Sequence, residues 1–324
     1  MIERRNPVLQ VDLSFIKQTV EPHINAFINE AVLINNGLAN TNYQLVTNNN
    51  TSLLSRIHND VNVGLKEYKI SQVVAAVSRK IPKISCFIEN GMSGHAFSIF
   101  EFIPGEPLYD HAKGHGTVKV YHDIADFLID IAKLPFDKAG DLTSQLEINP
   151  FKTHEQAYHQ YINFMLDCLA SPNLINNTSV KQVDKYKSFI LTHQSLLDCT
   201  KQMPIHLVHG DFKAENIIVC HQDNALSLAA VIDWEYARAD IMLADIATLF
   251  RGYFPTEQYQ LHQIFASKLK LYNVDLPVDW LLIAKYIDCI NLLAFLDSNK
   301  PRANLYKQVI DILDKAIVYI ENNC

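Results

Sequence analysis

The sequence predicts an α+β protein of two lobes, a small β-rich one followed by a larger helical one. Three observations lead there. Between positions 42 and 103, short β-prone runs alternate with turn signals around a single helical stretch. Pro104-Gly105 then breaks the chain, dividing it into residues 1–103 and 104–324. Beyond the break, apolar residues recur at helical spacing, interrupted by two short β-prone runs at 217–219 and 228–232.

Taken in order, 42–47 and 52–57 read as strands separated by the turn-prone Asn48-Asn49-Asn50. Ile70, Val73, Val74, Val77 and Ile81, three and four apart, predict the small lobe's helix. Residues 84–88 and 96–103 follow as strands, with Asn90-Gly91 and Ser93-Gly94 between them. In the larger lobe, Ile124, Phe127, Leu128 and Ile131 mark a helix over 118–134 that Pro135 stops. Further helices are expected at 158–169 and 183–197, and again from 240 to the C-terminus. The apolar stretch 281–296 carries Lys285, Asp288 and Asn291, which marks a helix of a soluble core rather than a membrane span.

The 324 residues are 48% hydrophobic by type, enough for a sizeable core. Twenty-eight Lys and Arg stand against 35 Asp and Glu, a net charge of −7, with no dense basic block. A nucleic-acid surface and a polybasic membrane patch are therefore not expected. Six cysteines are scattered without paired spacing, and residues 1–7 lack the apolar core of a secretory signal. Both features predict reduced thiols in a cytoplasmic protein.

The chemistry concentrates in His209-Gly210-Asp211, Asn216 and Ile232-Asp233. If 217–219 and 228–232 pair as an antiparallel hairpin, the start of one strand lies beside the end of the other. Asn216 and Asp233 then meet, and Asp211 lies on the loop entering the hairpin. An amide oxygen and two carboxylates suit a hard cation held partly by nucleotide phosphates. Phosphoryl transfer asks for little more: an oriented acceptor hydroxyl, here by Asp211, and neutralised charge, here by metal on Asn216 and Asp233. In the small lobe Arg56 is the candidate cation for phosphate. Glu67 is its candidate partner, because positions 67, 70, 74, 77 and 81 share one helix face and a carboxylate on that stripe needs a counter-charge.

The His209-Gly210-Asp211, Asn216, Ile232-Asp233 series resembles the signature of the aminoglycoside phosphotransferase and choline kinase family. The resemblance implies a bilobal protein-kinase-like fold, with residues 1–103 as nucleotide-binding lobe with hinge and 104–324 as catalytic and acceptor-binding lobe. It implies ATP or GTP with Mg2+, Asp211 as catalytic base, His209 as a brace of its loop, and Asn216 and Asp233 as metal ligands. Residues 37–42, with Asn40 and Thr41, resemble the family's nucleotide-covering turn, although with one glycine. Residues 98–107 resemble its hinge, where backbone groups around Glu101 and Ile103 would meet adenine. Arg56 stands where many relatives have lysine, and its fork still suits phosphate. The segment 243–247 resembles the motif whose aspartate, Asp245, supports the catalytic loop; an ordinary charge at a helix start is the alternative.

For the acceptor, residues 232–237 resemble thiamine and choline kinases most. Glu235, two residues past Asp233 on an extended chain, would face a cationic head, with Trp234 or Tyr236 adding cation–π contact. A choline-, ethanolamine- or thiamine-like alcohol is thus the expected small-molecule acceptor. Aminoglycosides are the alternative, followed by sugars and homoserine. A non-catalytic nucleotide-binding module and a protein kinase are the readings from other classes. Intact Asp211, Asn216 and Asp233 oppose the first, and the few residues between Asp233 and the next helix oppose the second. His111 and His115 lack the pattern of a zinc helix.

Overall fold

A computed structural model of the chain describes residues 7–34, 40–91, 94–111, 118–154, 157–222, 225–255, 261–299 and 302–324. Gly37 to Ala39 of the covering segment, and His115, lie outside them. In chain order the small-lobe elements are α1 (Leu13–Val20), β1 (Ile28–Ile34), β2 (Thr41–Thr47), β3 (Ser52–His58), α2 (Val61–Ala75), β4 (Ile84–Ile88), β5 (Ala96–Glu101) and β6 (Glu106–Pro107). Then follow α3 (Val118–Ile131), β7 (Ala139–Leu142), β8 (Ile148–His154), α4 (Ala157–Ala170), α5 (Pro172–Asn177), α6 (Val180–His193) and β9 (His206–Val208). The remainder is β10 (Ile217–Gln222), β11 (Ala225–Val231), β12 (Arg238–Asp240), α7 (Leu243–Leu249), α8 (Leu261–Lys270), α9 (Trp280–Leu296) and α10 (Ala303–Glu321). The chain packs as two compact units, residues 1–110 with 142–147 and 216–236, and residues 111–141 with 148–215 and 237–324.

The first unit is built on an antiparallel sheet in the order β1-β2-β3-β5-β4. Strand alternation sends Tyr43, Leu45 and Ile57 into a core closed by Ile16 and Val20 of α1, with Ile28, Ile88, Phe97 and Ile99. The helix differs from its expected position: it begins at Val61, where the Asp60 side chain accepts the Asn62 N–H at 2.8 Å, and ends at Ala75. Glu67 is therefore a mid-helix residue, 2% exposed, on the face with Ile70 and Val74. Gly64 sits inside that helix because a Cβ there would lie 2.7 Å from the His58 ring.

His58 is itself buried, its Nε2 2.8 Å from Ser98 Oγ. Burial, reinforced by the Arg56 charge, lowers its pKa to about 3. Because the unfolded chain takes up the proton first, stability present above pH 6.5 is lost as pH falls toward the folded value. The expected slope is roughly 1.4 kcal/mol per pH unit from this group. An NMR titration checks the origin: the folded-state imidazole should stay neutral at pH 5, and a midpoint near its ordinary value would contradict the assignment.

The hairpin expected from the sequence is present, β10 pairing antiparallel with β11 from Ile217↔Val231 to Gln222↔Ala225, and β6 adds a third strand. In the second unit α9 is buried along nearly its whole length and packs against α4, α7 and α10. Two of its polar interruptions are buried and satisfied: Lys285 donates to the Phe250 carbonyl, and Asp288 takes a two-pronged contact from Arg251. Trp280 packs on Phe250 and Phe265 as a core residue. The sequence gives no hint of the four-stranded sheet β8-β7-β12-β9 in this unit. Among the described residues no helix is long and apolar enough to cross a membrane.

Candidate active site

Within the first unit the backbone N–H of Ile232 donates to the Asn216 carbonyl at 3.0 Å, so the hairpin does bring Asn216 beside the residue preceding Asp233. Asn216 ends a single 3-10 turn and is buried; Asp233 is partly exposed. Asp233 holds φ +71°, a left-handed conformation uncommon for a residue with a Cβ and best tolerated by Asp and Asn. Arg56 reaches this turn from β3. Its Nη1 lies 2.5 Å from Glu67 Oε1 and 2.9 Å from Asp233 Oδ1, and its Nε donates to Asn42 Oδ1 at 3.2 Å. The expected Arg56–Glu67 pair is thus formed, and it extends to Asp233.

Burial opposes the Arg56 charge, but the fields of Glu67, Asp233 and Glu235 outweigh it and hold the guanidinium above its ordinary value. Burial pushes Glu67 up against the pull of Arg56, and burial with the nearby Asp233 pushes Glu235 up. Glu67, Asp233 and Glu235 thus surround one guanidinium, with the Lys66 ammonium at the Glu235 carbonyl. Among the described residues no three His, Cys, Asp or Glu side chains are arranged to hold a metal. An amide and a carboxylate such as Asn216 and Asp233 carry are oxygen donors that would suit magnesium, which takes few protein oxygens and completes its shell from phosphate and water.

Glu235 and Trp234 stand differently from the sequence expectation. Residues 234–236 form a 3-10 turn, so the rule that alternate residues share a side does not apply. Trp234 is 1% exposed, its indole N–H donating to the Val231 carbonyl at 3.3 Å, and it offers no face to a cation. Glu235 Oε2 instead accepts from Asn40 Nδ2 at 3.3 Å. Thr41 is buried, with Oγ1 accepting the Leu9 N–H at 2.9 Å. In the hinge segment, the Glu101 N–H pairs with the Lys83 carbonyl at 2.8 Å, while the Ile103 N–H makes no hydrogen bond among the described residues.

The second unit carries Asp211. Its loop is fixed by Asp245 at the start of α7, whose buried carboxylate accepts the N–H groups of His209 at 2.8 Å and Gly210 at 2.9 Å. Asp245 therefore supports this loop rather than merely charging a helix end. Gly210 turns at φ +79°, where a side chain would be strained. His209, wholly buried, accepts the Asp211 N–H on Nδ1 at 3.3 Å and packs edge-on to Phe212, which stacks on Phe127. Lys213 Nζ lies 2.8 Å from Asp211 Oδ2. Sequence reasoning missed Lys213, although a cation two positions from a candidate base was visible. It also missed Lys66, whose Nζ donates to the Glu235 carbonyl at 3.2 Å. Only a helix start at Asp60 would have placed it.

A family model, the phosphotransferase enzyme family (APH), matches residues 30–267. No curated protein sequence gives a significant match. Solved structures share the fold at low identity. The streptomycin–ATP–APH(2")-IIa ternary complex has a TM-score of 0.64 at 16% identity, over 97% of this chain and all of the other. A thermostable mutant of aminoglycoside phosphotransferase APH(4)-Ia, in ternary complex with AMP-PNP and hygromycin B, has a TM-score of 0.63 at 15% identity over 95% and 96%. ADP-bound aminoglycoside phosphotransferase APH(2'')-Ib has 0.60 at 16% identity over 96% and 99%.

Proposed function

The chain belongs to the phosphotransferase enzyme family, and we propose that it transfers the γ-phosphoryl group of ATP to a hydroxyl of an amine-bearing, hydroxyl-rich small molecule of the aminoglycoside kind. The observation that carries the transfer chemistry is Arg56 held between Glu67 and Asp233 at the turn beside Asn216. A buried guanidinium fixed by two carboxylates is a pre-set phosphate ligand. Magnesium on Asn216 and Asp233 would draw charge from the phosphate oxygens when bound.

Asp211 accepts the proton as the acceptor oxygen forms its bond to the γ-phosphorus. The bond to the bridging oxygen breaks, and ADP leaves. Asp245 and His209 keep the Asp211 loop in place throughout, so the carboxylate meets the hydroxyl without rearranging. The Ile103 N–H is a donor suited to the adenine edge.

The acceptor class shifts from the amino alcohols toward aminoglycosides for two reasons. Trp234 is core and the Glu235 carboxylate is engaged with Asn40, so of the residues expected to meet a quaternary or thiazolium head only Tyr236 stays exposed. Fold neighbours have been solved in complex with hygromycin B and with streptomycin. The test is kcat/KM across aminoglycosides, choline, ethanolamine, thiamine, homoserine and neutral sugars under one ATP and magnesium condition. The highest value is expected among the aminoglycosides. A higher value for choline or thiamine would return the acceptor to the amino-alcohol class.

A further inference from the structure

Resting on the nucleotide chemistry proposed above, we infer that Glu235 is a positioning residue for the nucleotide phosphates, fastening the start of β2 to the turn that carries Asp233. Four contacts within one compact unit place it there. Asn40 Nδ2 donates to Glu235 Oε2 at 3.3 Å, joining residues far apart in sequence. Lys66 Nζ of α2 donates to the Glu235 carbonyl at 3.2 Å. Two residues from Asn40, Asn42 Oδ1 accepts from Arg56 Nε at 3.2 Å, and Arg56 Nη1 reaches Asp233 Oδ1 at 2.9 Å. The strand entry is thus laced twice to the Asp233 turn, through Asn40–Glu235 and through Asn42–Arg56–Asp233.

The lacing matters because the sequence of residues 37–42 has one glycine where a glycine-rich phosphate loop has several. Affinity then depends on holding the available groups in place before the nucleotide arrives, which lowers the ordering cost of binding. Lys66 and Glu67 are adjacent in α2, and both act on the same turn, one at the Glu235 carbonyl and one through Arg56. Glu235 is the residue at which the helix and the strand entry meet.

The test compares wild type, Asn40→Ala, Glu235→Ala, the double variant and Glu235→Gln for AMP-PNP binding with magnesium by calorimetry, and for steady-state kinetics. Each single alanine variant is expected to weaken AMP-PNP by about tenfold. The double variant should lose no more than the weaker single one, since both act through one contact. Glu235→Gln keeps an acceptor oxygen for Asn40 and should recover most of the affinity. The loss should fall on KM for ATP rather than on kcat or the acceptor's KM, a split that general loosening of the fold would not produce. Additive losses, a glutamine variant as weak as alanine, or an effect confined to the acceptor's KM would overturn the inference. If Glu235→Ala does not fold, Asn40→Ala and Glu235→Gln make the same comparison. Wild-type protein that binds no AMP-PNP would overturn the proposed function, whereas normal binding by every variant would overturn this inference alone.

Discussion

Asp211→Asn is expected to lower turnover by about two to four orders of magnitude while leaving Mg·ATP affinity within a fewfold of wild type. The substitution keeps shape and a hydrogen-bonding oxygen but removes the site that takes the hydroxyl proton. The loop around it should survive, because its fixing groups are elsewhere: Asp245 holds the His209 and Gly210 amides, and His209 Nδ1 holds the amide of residue 211. Lys213, now facing an amide, loses its ion pair, which at a partly exposed site affects stability little. Single-turnover rates with purified protein, alongside calorimetric ATP titration, separate the two quantities. Turnover equal to wild type would remove Asp211 from the role of base.

Asp233→Asn should act on the other quantity. Asparagine tolerates the left-handed backbone at φ +71°, so the turn is kept while a formal charge beside Arg56 is lost. Magnesium-dependent ATP affinity is expected to fall by at least about tenfold, with a smaller loss in Asn216→Ala, which removes an amide dipole rather than a charge. Titrations with and without magnesium distinguish the effect from loss of the Arg56 contact alone. If the metal-free affinity falls as far as the metal-bound one, Asp233 serves the guanidinium and not a cation.

The parts of the site legible in the sequence were those fixed by local pairing. Asn216 and Asp233 could be placed because one hairpin brings them together, and the hairpin was signalled by two apolar runs around a polar turn. Glu67 could be matched to Arg56 by helix phase even though the helix runs from Val61 to Ala75 rather than to Ile81, since phase survives a wrong boundary. Trp234 and Glu235 were misplaced because three residues of 3-10 turn look extended in sequence, and burial of the indole depends on packing that spacing does not encode. The β8-β7-β12-β9 sheet escaped notice for a related reason. Three of its strands have only three or four residues, too few to show alternation, and β12 pairs with β7 and β9, both distant in the chain. The support of the catalytic loop by Asp245 was visible as one of two options, and the two amide contacts decide between them.

The acceptor itself should carry the transferred group. Wild-type protein and Asp211→Asn are to be incubated side by side with γ-labelled ATP, magnesium and an aminoglycoside, and the label followed to the acceptor. Label appearing as a phosphate ester on the aminoglycoside with wild type, and only in trace with Asp211→Asn, is the predicted result. Label that stays on nucleotide or passes only to water, or that reaches the acceptor equally fast with both proteins, would contradict phosphoryl transfer assisted by Asp211.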